Sequence, residues 1–188
     1  MPKLLLHIGT HKTGTTSIQR FCGANRDALR ERGIWYPPAD VGKFPSHYAH
    51  HRIAHAIADR DPEFDASDAA HFFRRVRKQM KPGEVCLISA EPMYRHMLPD
   101  PYPDGGPAKL ELEEANSRFD RYAETVRDNL GSFDVTVLVM LRRQDSFLES
   151  LYAEQILATS YTGDINRFAT ERHSLLDYQA RLAGWGKA

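Results

Sequence analysis

The stretch Lys3-Leu4-Leu5-Leu6-His7-Ile8-Gly9-Thr10-His11-Lys12-Thr13-Gly14-Thr15-Thr16-Ser17 changes character twice. Lys3 to Ile8 is a short, nearly unbroken apolar run of the kind a fully buried strand carries. Gly9 to Gly14 then supplies the backbone freedom of a tight loop, and beyond it Ile18, Phe21, Cys22, Ala28 and Leu29 fall on one helical stripe. The basic Arg30 and Arg32 followed by Gly33 predict the end of that helix, and Ile34 to Tyr36, closed by Pro37-Pro38, predicts a second short strand. The chain therefore opens as strand, loop, helix, strand.

The same alternation continues. Helical spacing covers Tyr48 to Asp59 and Ser67 to Met80, the second with Ala69, Phe72, Phe73, Val76 and Met80 inward and Arg74, Arg75, Arg77 and Lys78 outward. Lys81-Pro82-Gly83 ends it, and Val85 to Ala90 reads as a third, buried strand. Pro99 to Pro107 is expected to be a surface loop, followed by a long polar helix from Lys109 to Leu130. Asp134 to Leu141 is the strongest strand signal, read as buried, and helical spacing returns over Ser146 to Thr159 and again over Leu175 to Trp185. Strands alternating with helices predict an α/β fold: a three-layer α/β/α domain with a central, mainly parallel sheet and ligands at the carboxyl ends of its strands. No internal repeat breaks the 188 residues, so one domain over 1–188 is expected.

Composition limits the partners. With 25 Lys+Arg against 25 Asp+Glu the formal charge is zero, and the mean hydropathy is −0.53. Such a chain lacks the global positive field that drives binding to nucleic acid or anionic membranes, so no nucleic-acid partner is expected and any anion site is local. No apolar run approaches the roughly 18 residues of a membrane span, and the chain is expected to be cytoplasmic. Cys22 and Cys86 stand far apart without metal or redox spacing and read as buried apolar residues.

A glycine-rich loop between a buried strand and a helix cradles phosphate with its backbone N–H groups, aided by the helix dipole. Gly9 and Gly14 match the separation in G-x-x-x-x-G-K-[ST] and Thr16 is its hydroxyl residue, but Thr15 stands in the lysine position and the lysine is at 12. Lys12 thus emerges from within the loop, near a leaving or transferred group, and no obvious acid ends a strand to hold magnesium. A second signal closes the Asp134 strand: Arg142-Arg143 and, eight residues after Arg142, Ser150. The planar fork of arginine suits phosphate, and a serine adds a hydroxyl donor.

Together these residues resemble the sulfotransferases that use 3′-phosphoadenosine 5′-phosphosulfate (PAPS) as sulfonate donor. Their 5′-phosphosulfate loop is similar to His11-Lys12-Thr13-Gly14-Thr15-Thr16-Ser17, and their 3′-phosphate motif is similar to Arg142 with Ser150. Gly33-Ile34-Trp35-Tyr36-Pro37, Leu87-Ile88-Ser89-Ala90-Glu91 and Phe147-Leu148-Glu149-Ser150-Leu151-Tyr152 are similar to bacterial members. The likeness spans Leu4 to about Trp185. It departs at Arg143-Gln144, where members often carry Asn-Pro. Members usually continue with a segment that closes over the nucleotide, so a missing C-terminal segment is expected.

The resemblance implies the P-loop nucleoside-triphosphate-hydrolase-like fold of these enzymes, PAPS as co-substrate, no metal, and a hydroxyl or amine acceptor on a small molecule, glycan or lipid. Lys12 and the loop amides would stabilise developing charge, Arg142 and Ser150 would hold the 3′-phosphate, and Arg143 would assist them or pair with Asp145 or Glu149. Glu91, directly after the third strand, is the first choice for general base; its other reading is a helix cap or a partner of Arg95. His51 is the second choice, within the cluster His47, His50, His51 and His55. Their i, i+4 spacings suit a metal, but no cysteine or carboxylate completes a set. His7 reads as a hydrogen-bonded core residue, and His11 as a residue that shapes the loop. Two alternatives stand beside the transferase: an ATP-dependent P-loop kinase, and a nucleotide-binding module without turnover.

Overall fold

A computed structural model describes residues 1–95 and 112–187, with side-chain surroundings given for these except 112–116 and 187. The loop expected over Pro99 to Pro107 lies outside the described residues, as does the start of the helix that follows it. The opening apolar run forms β1 (Lys3–Gly9), whose Leu4, Leu6 and Ile8 are buried. It is followed by α1 (Thr15–Ala24), α2 (Arg26–Glu31), β2 (Ile34–Trp35), a 3-10 turn at Ala39–Val41, α3 (His51–Ile57), α4 (Ala66–Gln79) and β3 (Val85–Ser89). Then come α5 (Pro92–Arg95), α6 (Leu112–Leu130), β4 (Asp134–Val139), α7 (Gln144–Ala158), α8 (Ile165–Leu176) and α9 (Tyr178–Lys187).

The four strands form one sheet in the order β2-β3-β1-β4, and every pairing is parallel. Chain direction explains the layering. The β1-to-β2 connection steps over β3 one way along the sheet, while β2-to-β3 and β3-to-β4 step the other way, so right-handed crossovers send their helices to opposite faces. The fold is α/β, compatible with three layers. Phe72, Phe73 and Val76 of α4 fill the core beside Ile53 and Ala54 of α3 and Tyr122 and Val126 of α6. α4 starts as its sequence dictates: the Asp65 carboxylate accepts from the Ser67 and Asp68 amides at 2.8 and 3.1 Å, and Asp68 returns a bond to the Asp65 amide.

Four local expectations are corrected. The first helix does not run unbroken to Gly33; it breaks at Asn25, whose side-chain amide donates to the Phe21 carbonyl at 2.8 Å and competes with the helical ladder. Nor does the apolar stripe of α1 face inward as a whole: Cys22 does, but Ile18 and Phe21 do not. Phe21 is 61% exposed and Ile18 37%, whereas Thr15, Gln19 and Cys22 are buried, because the sheet beneath offers polar partners to Gln19. β4, read as buried, is half-covered: among the described residues it pairs with β1 alone, turning Val135, Val137 and Val139 toward the core and leaving Leu138 and Met140 exposed. The closing helical pattern is likewise two helices, parted at Asp177. No helix among the described residues is long and apolar enough to cross a membrane. Both cysteines are free and buried.

Candidate functional site

β1 lies between β3 and β4, so the loop after β1, the residues after β3 and the residues after β4 meet at one sheet edge. Sequence reasoning could not supply that order, and it decides which side chains converge. Gly9 leaves β1 at φ +112 with its α-carbon against Glu91: a Cβ there would lie 3.0 Å from the Glu91 carbonyl oxygen. The loop is tied to β4 as well, with the Thr10 amide donating to Met140 at 3.0 Å and the Met140 amide to Gly9 at 2.7 Å. The Thr13 hydroxyl closes the turn on the Thr10 carbonyl at 2.7 Å. Gly14, at φ +82, hands the chain to α1. The amides of residues 11 to 16 find no backbone acceptor among the described residues, the condition in which a helix-start loop receives an anion. Thr16 and Ser17 are exposed there.

Arg142 comes to this loop from β4. Its Nη1 donates to the Lys12 carbonyl at 3.2 Å and to Ser150 Oγ on α7 at 2.9 Å. The late arginine, its serine and the early lysine loop are therefore one assembly. The Tyr178 hydroxyl donates to the Arg142 carbonyl at 2.7 Å and the Gln144 amide to Leu176 at 2.6 Å, so the junction of α8 and α9 braces the segment. Arg143 does not join; it turns to Asp145 at 2.6 Å. Lys12 sits at φ +61, and its ammonium lies 3.5 Å from Glu154 of α7. Glu154 is a residue that no motif pointed to.

The second half of the site surrounds Glu91. Its carboxylate accepts from the Thr15 hydroxyl and stands 3.8 Å from His11 Nε2 and 3.9 Å from His51 Nε2. Glu91 also precedes α5, its carbonyl accepting from the Tyr94 amide at 3.3 Å, while its carboxylate turns to the loop. Glu91, read from the sequence as directly following the third strand, therefore stands beside the loop. It meets Thr15, in the lysine position of the ATP-binding pattern, while the magnesium-binding position, Thr16, is exposed. Burial, with Arg95, His51, Lys12 and His55 adding to it, pushes His11 down to about 3. Burial and the neighbouring His47, His55, His50 and Arg95 bring His51 to about 4. Both rings are neutral near pH 7, so Glu91 faces uncharged imidazoles.

His51 is delivered by its buried neighbour. The His50 amide donates to the Ser89 carbonyl at 2.9 Å, the Ser89 amide donates to His50 Nδ1 at 3.1 Å, and His50 Nε2 meets the Pro37 carbonyl at 2.8 Å. This lock pins the start of α3 to the end of β3. Gln19 and Ser89 complete the interior: the Gln19 amide nitrogen lies 3.1 Å from Ser89 Oγ and 3.2 Å from His51 Nε2. His7 is the core histidine expected, 2.7 Å from Ser89 Oγ through Nδ1. Sequence reading passed over Gln19 and Glu154, and placed His50 only within the histidine cluster; only a glutamine at helical spacing between Thr15 and Cys22 hinted at the first. No group of three His, Cys, Asp or Glu among the described residues is arranged to hold a metal ion. No family model, curated protein or solved structure matched the chain.

Proposed function

We propose that the protein transfers a sulfonate group from PAPS to a hydroxyl or amine acceptor. One observation carries the reading: Arg142 Nη1 bridges the Lys12 carbonyl and Ser150 Oγ. The two candidate grips for one nucleotide, far apart in sequence, rise from adjacent parallel strands and touch. The unpaired loop amides fit the phosphosulfate, and the guanidinium and hydroxyl fit the second phosphate, the group that distinguishes this donor from ATP.

In this reading the acceptor oxygen attacks sulfur in line. The new sulfur–oxygen bond forms as the bond from sulfur to the bridging phosphate oxygen breaks, and the electron pair leaves with adenosine 3′,5′-bisphosphate. The acceptor proton passes to Glu91, held by Thr15 beside the loop, with His51 the second candidate. Lys12 and the loop amides stabilise the charge growing on the leaving oxygens. Use of Lys12 requires its ammonium to exchange Glu154 for the donor.

Thermal melting with adenosine 3′,5′-bisphosphate tests the reading. A concentration-dependent rise in Tm is expected; no rise, with stabilisation by ATP and magnesium instead, would move the assignment to the kinase. Nucleotide affinity without transfer to any screened glycan, lipid or phenol would leave a binding module. Arg142→Ala is expected to weaken nucleotide binding, and Lys12→Ala to lower turnover more than affinity, because its partner charge develops during reaction. Equal losses of affinity from both would contradict this division.

A further inference from the structure

We infer that Gln19 is a positioning residue: its side-chain amide holds His51 as the Nδ1–H tautomer, with the Nε2 lone pair turned toward α1, and so prevents the ring from donating a proton to Glu91. Gln19 is fully buried on the inner face of α1. Its Nε2 lies 3.2 Å from His51 Nε2 and 3.1 Å from Ser89 Oγ. An amide nitrogen carries two hydrogens and accepts none, so both neighbours must accept. His51 Nε2 is then bare and its proton sits on Nδ1.

The opposite amide orientation is the worse one. Gln19 Oε1 is buried with no partner among the described residues. Reversing the amide would put its NH2 there as two orphan donors, which folded proteins tolerate less readily than an under-used carbonyl. Ser89 Oγ anchors the amide on its far side and is itself held by His7 Nδ1 at 2.7 Å.

The consequence falls on Glu91, whose Oε1 is 3.9 Å from the same His51 nitrogen. A proton at that nitrogen would pair the ring with the carboxylate and reduce its capacity to accept one. With the lone pair there, the donor hydroxyl of Thr15 is the partner of Glu91. The other groups facing His51 are His47, His50 and His55 from its own segment, Arg95 from α5 and His11 from the loop. The permanent charge of Arg95 opposes protonation, as does any of these imidazoles when itself protonated, and Glu91 favours it. The role of Glu91 as base rests on the sulfonate-transfer reading; the tautomer does not.

Nitrogen-15 NMR of the histidine-labelled full chain between pH 5 and 8 tests the inference. Wild type is expected to show His51 protonated at Nδ1 and bare at Nε2; a protonated Nε2 would overturn it. Gln19→Glu offers a carboxylate in place of the amide, and the His51 titration midpoint is expected to rise by about one unit or more. An unchanged midpoint would refute the lock, and should this variant not fold, the wild-type spectrum decides alone. In turnover, the same variant is expected to move the acid limb of the kcat profile upward with little change in donor affinity. Absence of adenosine 3′,5′-bisphosphate binding in wild type would instead remove the transferase reading and leave the tautomer result standing.

Discussion

Gly9→Ala tests the join between the loop and Glu91. Gly9 has φ +112, and an added Cβ would sit 3.0 Å from the Glu91 carbonyl oxygen and 3.2 Å from its α-carbon and β-carbon. Most of these are backbone atoms at the end of a packed strand and cannot swing aside. Gly33 is the control, because it too has positive φ, +80, yet nothing lies within 4 Å of its added Cβ. Positive φ costs a residue with a Cβ about 1 kcal/mol in both, and forced contact adds about 2 kcal/mol at Gly9 alone. At about 3 °C per kcal/mol for a domain of this size, Gly33→Ala is expected to lower Tm by about 3 °C and Gly9→Ala by about 9 °C. Differential scanning calorimetry at fixed pH reads both. Equal losses would show that Glu91 does not press on the loop, and the arrangement drawn around it would fail.

Acid is expected to destabilise the fold before its carboxylates titrate. Burial, resisted by hydrogen bonds to Pro37 and Ser89, lowers His50 to about 4, and His51 falls to about 4, against 6.5 in an unfolded chain. The unfolded state therefore binds more protons between these values, so stability present above pH 6.5 is lost as pH falls toward 4. Urea melts whose midpoint stays flat from pH 7 to 4.5 would contradict this. Arg30 donates to both oxygens of Glu84 at 2.7 and 3.1 Å and stacks 4.5 Å above Trp35. Glu84 is 6% exposed; burial raises its carboxyl, but Arg30 and the Lys81 amide outweigh that and the net shift is downward. Arg30→Met, which strands the carboxylate, is expected to cost about 2 kcal/mol in chemical denaturation, and a loss under about 0.5 kcal/mol would contradict it.

Reading of the sequence reached furthest where local pattern and chemistry coincide. Lys3 to Ile8, the glycines at 9 and 14 and the hydroxyl run at 15 to 17 announce a strand, a loop and a helix start because each rests on neighbouring residues. Arg142 with Ser150 was legible for the same reason, since eight residues across a strand end and two helical turns keep them close. The meeting of Glu91, His11 and His51 was not, because it depends on β3 lying beside β1, a long-range pairing that no local preference encodes. Gln19 was hidden by the rule that finds helices. Periodicity assigns the buried face to Ile18, Phe21 and Cys22, but a buried serine rewards an amide, and α1 is turned to bury Gln19 with Cys22 while Ile18 and Phe21 are exposed. β4 misled in the opposite sense, its valines and leucines suggesting cover on both faces where only alternate residues have it.

In the proposed reading, the contact between Lys12 and Glu154 makes anion capture a competition. Whatever arrives at the loop must outbid a tethered carboxylate, whose local concentration never falls, before the ammonium turns to it. A singly charged halide offers nothing better than the incumbent, whereas an oxyanion of higher valence can engage the ammonium, the amides and Arg142 together. In the sulfonate-transfer reading, a modest surface pairing would thereby act as a filter on ligand charge, holding the loop against common salt while leaving it open to polyvalent guests.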